Sequence, residues 1–367
     1  MQHVREKSSP IQNVIIMVQG HRGFNNLFAG FPGADSTKQG IVHTGQVVAL
    51  KPMTIAQHPS SQAPLDAFVT AYDNGKMDGF DLVYTSSSRF PYHFVAPSQI
   101  SQYWKLARQF VLADHMFASS ISNSGWISQL YLLAARSKVK PNEYLADHPS
   151  QRPWGCDARP GTTTPVYTKR GLKLDGPFPC FDWNSLPQRL DGAHLSWRYY
   201  IPVGTQGTNG IDALSYIRNG NDWRENVTTP QTAILSDIAK GTLPSVSWVY
   251  PQNENSDDPG TASGSKWVST VVGALQSSRY WQHSAVIVVW ESSDFFYDDV
   301  PPPVLSGAEL GFRVPMLVVS PYAKRGYVSH TQYEFGSIVR FVEEQFGLPS
   351  LDQTDRRANS LDDAFSF

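Results

Sequence analysis

An α/β domain with a mostly parallel central sheet and helices on both faces is the fold class this sequence predicts, on three observations. Short, β-branched, nearly uncharged runs recur along the chain at 11–18, 245–250, 285–290 and 316–320. Segments with apolar residues at helical spacing separate them, as at 126–135, 267–277 and 335–346. Turns rich in Gly and Pro punctuate the boundaries. Strands buried on both faces read as continuous apolar runs because helices cover the sheet on each side. Strands alternating with helices call for parallel crossovers.

Taken in order, residues 11–18 form the first strand, which ends in a Gly-punctuated turn at 19–23. Ser98 follows Pro97 and predicts an N-cap for a helix over 99–110. A strand-like stretch at 113–117 leads into the apolar helix at 126–135. The region from 138 to about 192 is rich in Pro, Gly and Thr and predicts a loop-rich insertion in a single domain spanning 1–367. Order returns with an aromatic strand at 193–201, helices at 211–218 and 230–240, and a strand at 245–250. The helix at 267–277 and strands at 285–290 and 316–320 precede a last helix at 335–346. In such sheets ligands bind beyond the carboxyl ends of the strands. That selects 19–25, 291–299 and the loop after residue 320, so the site draws on both ends of the sequence.

Composition narrows the function classes. The 367 residues are 41% hydrophobic and 17% charged, with a formal net charge of −2. No basic footprint for nucleic acid follows from that balance, and no apolar run approaches the roughly 20 residues a transmembrane helix needs. Residues 1–10 are polar and carry no signal peptide. That fits a cytoplasmic protein, or a secreted or periplasmic one whose signal has been removed. The only two cysteines, Cys156 and Cys180, bracket a Gly/Pro/Thr-rich stretch. A disulfide there would contribute roughly 3 kcal/mol; two buried free thiols are the alternative.

Several segments share a pattern. They are QGHRGFNNLFAGFPGAD at 19–35, GKMDGFD at 75–81, LADHMF at 112–117 and PWGCDARPGTTTP at 153–165, then PFPCFDW at 177–183, NSDD at 255–258, VVWESSDFFYDDVPPP at 288–303 and LGFRVPMLVVSPYAKRGYVSH at 310–330. In this order, and over nearly the whole chain, they resemble the phospholipase C/acid phosphatase family of phosphoesterases. The resemblance implies an alkaline phosphatase-like fold. It also implies a metal held by a Glu-Asn pair after the first strand and an acidic pair after a late one, with a Ser or Thr nucleophile. A divalent cation would neutralise and polarise the phosphate for attack by the hydroxyl.

This sequence departs from the family at those positions. Gly20-His21 stands where Glu-Asn is expected, Gly23 replaces Ser/Thr, and Asn25 replaces Asp. Gly125 occupies the nucleophile position, with Ser124 one residue early and Gln129 in place of a histidine. Trp290-Glu291-Ser292 replaces Trp-Asp-Asp, Asp299 replaces the His of Tyr-Asp-His, and Ser256-Asp257-Asp258 replaces Ser-Asp-His. Only Glu291 keeps a carboxylate among the four expected ligands, and with His21 it makes too few donors for a magnesium or calcium site. A transition-metal site of His21, Glu291 and Asp257 or Asp258 has no recognised ligand spacing. No cofactor and no metal ligand are therefore expected.

The replacements are largely polar or ionisable, which predicts a working site for a small-molecule substrate. His21, Glu291, Asp258, Asp299 and Ser124 are the expected catalytic groups. Asn25, His58, Asn123, Trp126, Gln129, Asp257, Trp290, Ser292 and His330 are the expected substrate contacts, with Phe295 and Phe296 adding to an aromatic wall. Clustered carboxylates raise one another's pKa and so provide an acid and a base in one pocket. The predicted function is metal-independent acid–base chemistry, as a lyase, cyclase, isomerase or metal-free hydrolase. Residual phosphoric ester hydrolysis, or a non-catalytic protein binding a ligand or partner through the cleft, are the alternatives.

Overall fold

The structure, a computed structural model, describes residues 9–57, 63, 65–84, 88–252, 256–257 and 263–367. Eight strands form the large sheet: β1 (Asn13–Gln19), β2 (Val111–Ala113), β3 (Trp197–Tyr200), β4 (Val227–Thr228), β5 (Val246–Val249), β6 (Ser284–Trp290), β7 (Met316–Val319) and β8 (Tyr327–Ser329). Their spatial order is β4-β3-β5-β1-β6-β7-β2-β8. Only β7 runs against its neighbours β6 and β2; the other pairings are parallel. The mostly parallel sheet expected from the apolar runs is what the chain forms. β1 and β6 sit at its centre, and every residue of both is buried.

Both faces are covered. Trp248 of β5 lies in register with Ile16, and Trp290 of β6 with Gln19. Positions 16 and 19 are an odd number apart, so the two indoles point to opposite faces. On one face Trp248 Nε1 donates to the carbonyl of Leu132 in helix α2 (Gly125–Ala134). On the other the Trp290 ring meets Tyr103 of helix α1 (Ser101–Gln109), 4.9 Å between centroids. Helix α3 (Gly264–Gln276) packs with α1, and α4 (Phe335–Phe346) packs with α2.

Several boundaries differ from expectation. The helix predicted at 99–110 begins at Ser101 with Ile100 at its N-cap, so Ser98 does not cap it. Residues 210–219 form a 3-10 turn and a five-residue helix instead of one helix. The insertion is more ordered than its composition suggests. Lys138–Lys140, Glu143–Leu145, Val166–Thr168 and Gly171–Lys173 make a four-stranded antiparallel sheet, and Leu186–Gly192 a helix. A disulfide joins Cys156 to Cys180, which resolves the choice left open by sequence. A second apolar cluster, including Phe295 and Phe312, packs Val42, Leu50, Phe68, Phe80, Tyr84 and Tyr92 against the loop after β6. That cluster sets the position of one wall of the site.

Candidate active site

The carboxyl ends of β1 and β6 lie side by side, with Glu291 N donating to the carbonyl of Gln19 at 3.0 Å. The residues that follow each strand therefore meet. His21 Nδ1 is hydrogen-bonded to Ser292 Oγ at 2.5 Å, and its Nε2 stands 4.0 Å from Glu291 Oε2. The N-terminus of α2 closes on the same point. Ser128 Oγ donates to the Glu291 carbonyl at 2.6 Å, and Gln129 Nε2 donates to Glu291 Oε1 at 2.8 Å.

The orientation of the Gln129 amide is fixed from behind. Its Oε1 accepts from the backbone N–H of Gly210 at 2.6 Å and from Tyr199 Oη at 3.4 Å. The NH2 group must then face Glu291. Gly210 is held in turn by Asp212, whose Oδ2 accepts from the N–H groups of Gly207 and Asn209 at 2.9 and 2.8 Å. Burial pushes the Asp212 carboxyl up to about 7, against the opposing pull of those two N–H donors.

Gly125 explains how Glu291 fits. A β-carbon built on Gly125 would overlap Glu291 Oε2. The carboxylate thus lies against the first turn of α2, at the position where the family resemblance puts a nucleophilic side chain. Its charge is favoured there by the positive end of the ten-residue helix. A Ser or Thr at 125 and Glu291 in this rotamer exclude one another sterically.

These groups line a cleft of about 640 Å3. Seven of the residues expected at the site share it: His21, Asn123, Ser124, Trp126, Gln129, Glu291 and the wall residue Phe295. A smaller polar cavity of about 110 Å3, bordered by Gln19, Gly20, Ser256 and Tyr250, lies across Glu291 and Gln129 from the cleft. Ser292 is buried and reaches the site through His21.

Other expected residues stand elsewhere. Asp257 and Trp290 are fully buried beneath the site, where Asp257 Oδ2 accepts from Trp290 Nε1 at 3.1 Å and Tyr103 Oη at 2.6 Å. The backbone carbonyl of Asp257 also accepts from the buried Arg22. Their role is to anchor the strand ends, because a buried carboxylate needs such donors. Asn25 and Asp299 bond to each other at 2.8 Å, and Asp299 faces Arg313 at 3.4 Å. His330 pairs with the buried Asp114 at 2.8 Å. These three belong to a polar network around Arg313 and do not line the cleft. Phe296 packs on Phe90 and under Arg22 instead of forming a wall. His58 and Asp258 lie outside the described residues.

Phe295 lines the cleft as the expected aromatic wall, whereas Asp294, Asp147, His148, Trp154 and Tyr167 are lining residues that sequence reasoning missed. Asp294 and Phe295 adopt φ of 49° and 51°, a left-handed pair unusual for non-glycine residues. Asp294 is held there by Asn123, which accepts from its N–H at 3.0 Å and donates to its Oδ1 at 3.1 Å, and by Tyr84 Oη. Asp147, His148, Trp154 and Tyr167 come from the insertion. Asp294 lies within the late motif at 288–303, the one signal that marked it in advance.

Among the described residues, the donors do not suit the metal the resemblance implies. Gly20 offers no side chain, the Glu291 carboxylate is engaged by Gln129, and Ser292 by His21. Among the described residues, no three His, Cys, Asp or Glu side chains converge as a metal-binding group. No helix among them is long and apolar enough to cross a membrane.

Comparison with known proteins gives consistent relatives. The sequence model of the phosphoesterase family matches residues 11–349. A non-hemolytic phospholipase C of Pseudomonas aeruginosa is 24% identical over 97% of this chain and 57% of its own length. Phospholipase C A of Mycobacterium tuberculosis is 22% identical over 97% of this chain and 77% of its own. The chain spans little more than half of the Pseudomonas relative. Among solved structures, a protein in the alkaline phosphatase superfamily from Vibrio parahaemolyticus superposes with a TM-score of 0.47 at 9% identity, over 98% of this chain and 72% of that one.

Proposed function

The chain belongs to the phosphoesterase family, and we propose that its cleft serves metal-independent acid–base chemistry on a small organic substrate. Glu291 is the proton acceptor and His21 the group that exchanges the proton with it. One observation carries this reading: the Glu291 carboxylate fills the space a side chain at 125 would need, hydrogen-bonded by Gln129 and 4.0 Å from His21. A carboxylate beside an imidazole in a cleft supplies the two groups that general acid–base catalysis uses. Ser292 on Nδ1 orients the ring so that Nε2 faces the carboxylate. Elimination, isomerisation, cyclisation and hydrolysis by activated water are the reaction types such a pair serves. The Cys156–Cys180 disulfide supports an oxidising compartment for the protein.

The test is turnover of a panel of aryl carboxylic and phosphoric esters and eliminable substrates, with and without chelator. Turnover that survives chelation, and is lost in Glu291→Gln and His21→Ala at unchanged melting temperature, supports the reading. Turnover that needs an added divalent ion, or persists in both variants, overturns it. The second reading is phosphoric ester hydrolysis, favoured by the phospholipase C relatives. It requires a countercharge for the phosphate, which among the described lining residues only His21 and His148 can carry, and only when protonated.

A further inference from the structure

The end of helix α4 carries two buried carboxyl groups that the cleft does not use. Glu343, in the last turn of α4, is 4% exposed, and Asp355, in the short helix Gln353–Arg357, is fully buried. One backbone N–H serves both. Leu351 N donates to Glu343 Oε1 at 3.1 Å and to Asp355 Oδ2 at 2.7 Å. Asp355 Oδ1 also accepts from Asp352 N at 2.7 Å, and the Glu343 carbonyl accepts from Leu348 N at 2.9 Å. The chain after Gly347 thus folds back on α4 around these two side chains.

Two carboxylates bonded to one N–H and shut off from water cannot both carry charge without a large penalty, so the pair is stable with one proton between them. Burial pushes the Glu343 carboxyl up to about 8, and the charge and hydrogen bonding of Asp355 add to it. The Leu351 N–H and the charge of Arg189, from the helix Leu186–Gly192, act in the opposite direction. Other cations nearby are engaged by other carboxylates. Arg136 pairs with Asp352, Arg340 with Glu344, and Arg357 with Glu309 and Glu334.

We propose that this pair is a proton-held latch: the proton between Glu343 and Asp355 fastens the segment 348–357 to α4, and its loss lets that segment open while the rest of the fold stays closed. The same segment braces α2, the helix whose first turn meets the Glu291 carboxylate. Asp352 pairs with Arg136, two residues past the end of α2, and Arg357 pairs with Glu309, which accepts from Tyr131 Oη of α2 at 2.7 Å. The Glu343 value lies above the ordinary 4.5, so the contribution of the latch is full below 4.5 and is lost as pH rises toward 8. None of this depends on the chemistry of the cleft.

Amide hydrogen exchange of the whole chain from pH 5 to 9, corrected for intrinsic exchange, tests the latch. Protection of the 351–357 amides is expected to fall by up to about tenfold per pH unit between pH 5 and 8 and then to level off. Amides of β1 and β6 are expected to stay far better protected throughout. Glu343→Gln, whose side-chain amide can donate to Asp355 in place of the proton, should flatten the profile of 351–357. Should that variant fail to fold, Asp355→Asn and the profile of the unaltered protein carry the test. Protection of 351–357 that ignores pH, an unchanged slope in Glu343→Gln, or exchange of 351–357 only together with β1 overturns the proposal.

Discussion

Gly125 and Glu291 are two residues that require one another, because a β-carbon on the first and the carboxylate of the second compete for one volume. Gly125→Ala should push the carboxylate off Gln129 and cost about 1–3 kcal/mol by overpacking. In a Glu291→Ala background the same change should be nearly free, and a double-mutant cycle in denaturant should return a coupling of about 1–3 kcal/mol. Additive effects would mean that the two residues do not share the space. Asp212 gives a second test at this scale. Its folded-state pKa is raised to about 7 by burial, so the neutral form is the one the fold favours. Its contribution to stability is full below the ordinary carboxyl pKa near 3.8 and is lost as pH rises toward 7. Unfolding measured from pH 4 to 8 should show this loss in the unaltered protein and a flatter profile in Asp212→Asn.

The elements that build the site were legible to different degrees, for physical reasons. β1, β6 and β7 are buried on both faces, and such strands announce themselves as apolar runs. The place of His21 and Glu291 beside the cleft was legible because clefts open beyond the ends of such strands. The small sheet of the insertion was not: its strands are three residues long, and Gly171–Lys173 is exposed throughout, so no alternation marks it. Asp147 and Tyr167 were hidden for the same cause. Their place depends on long-range contacts such as Tyr167 Oη donating to the carbonyl of Leu65, 102 residues away. Asn25, Asp299 and His330 misled because they sit in motif segments yet serve the Arg313 network. The insertion depends on its disulfide, which links residues 24 apart. Replacing Cys156 and Cys180 by Ser should lower stability by roughly 3 kcal/mol in chemical denaturation. An unchanged midpoint would show that the small sheet holds without it.

Over the whole molecule, the cleft sits where the central sheet, the insertion and the second apolar cluster converge. Arg313 ties the loop after β6 to the rest. It is fully buried, pairs with Asp298 at 2.6 Å, and donates to the carbonyls of Asp35 and Asp114. Arg313→Met should leave Asp298 charged and unpaired and cost about 3–5 kcal/mol, read as a fall in melting temperature. The chain belongs to the phosphoesterase family, and the proposed reading is that the groups at its strand ends work without a metal. The most direct test of that claim is hydrolysis of an aryl phosphate by the purified protein, followed with Mg2+, Ca2+ or Zn2+ added and with bound metal measured in parallel. The account predicts no metal-stimulated turnover and no stoichiometric ion. Turnover that rises with an added ion bound one-to-one at this site would contradict it.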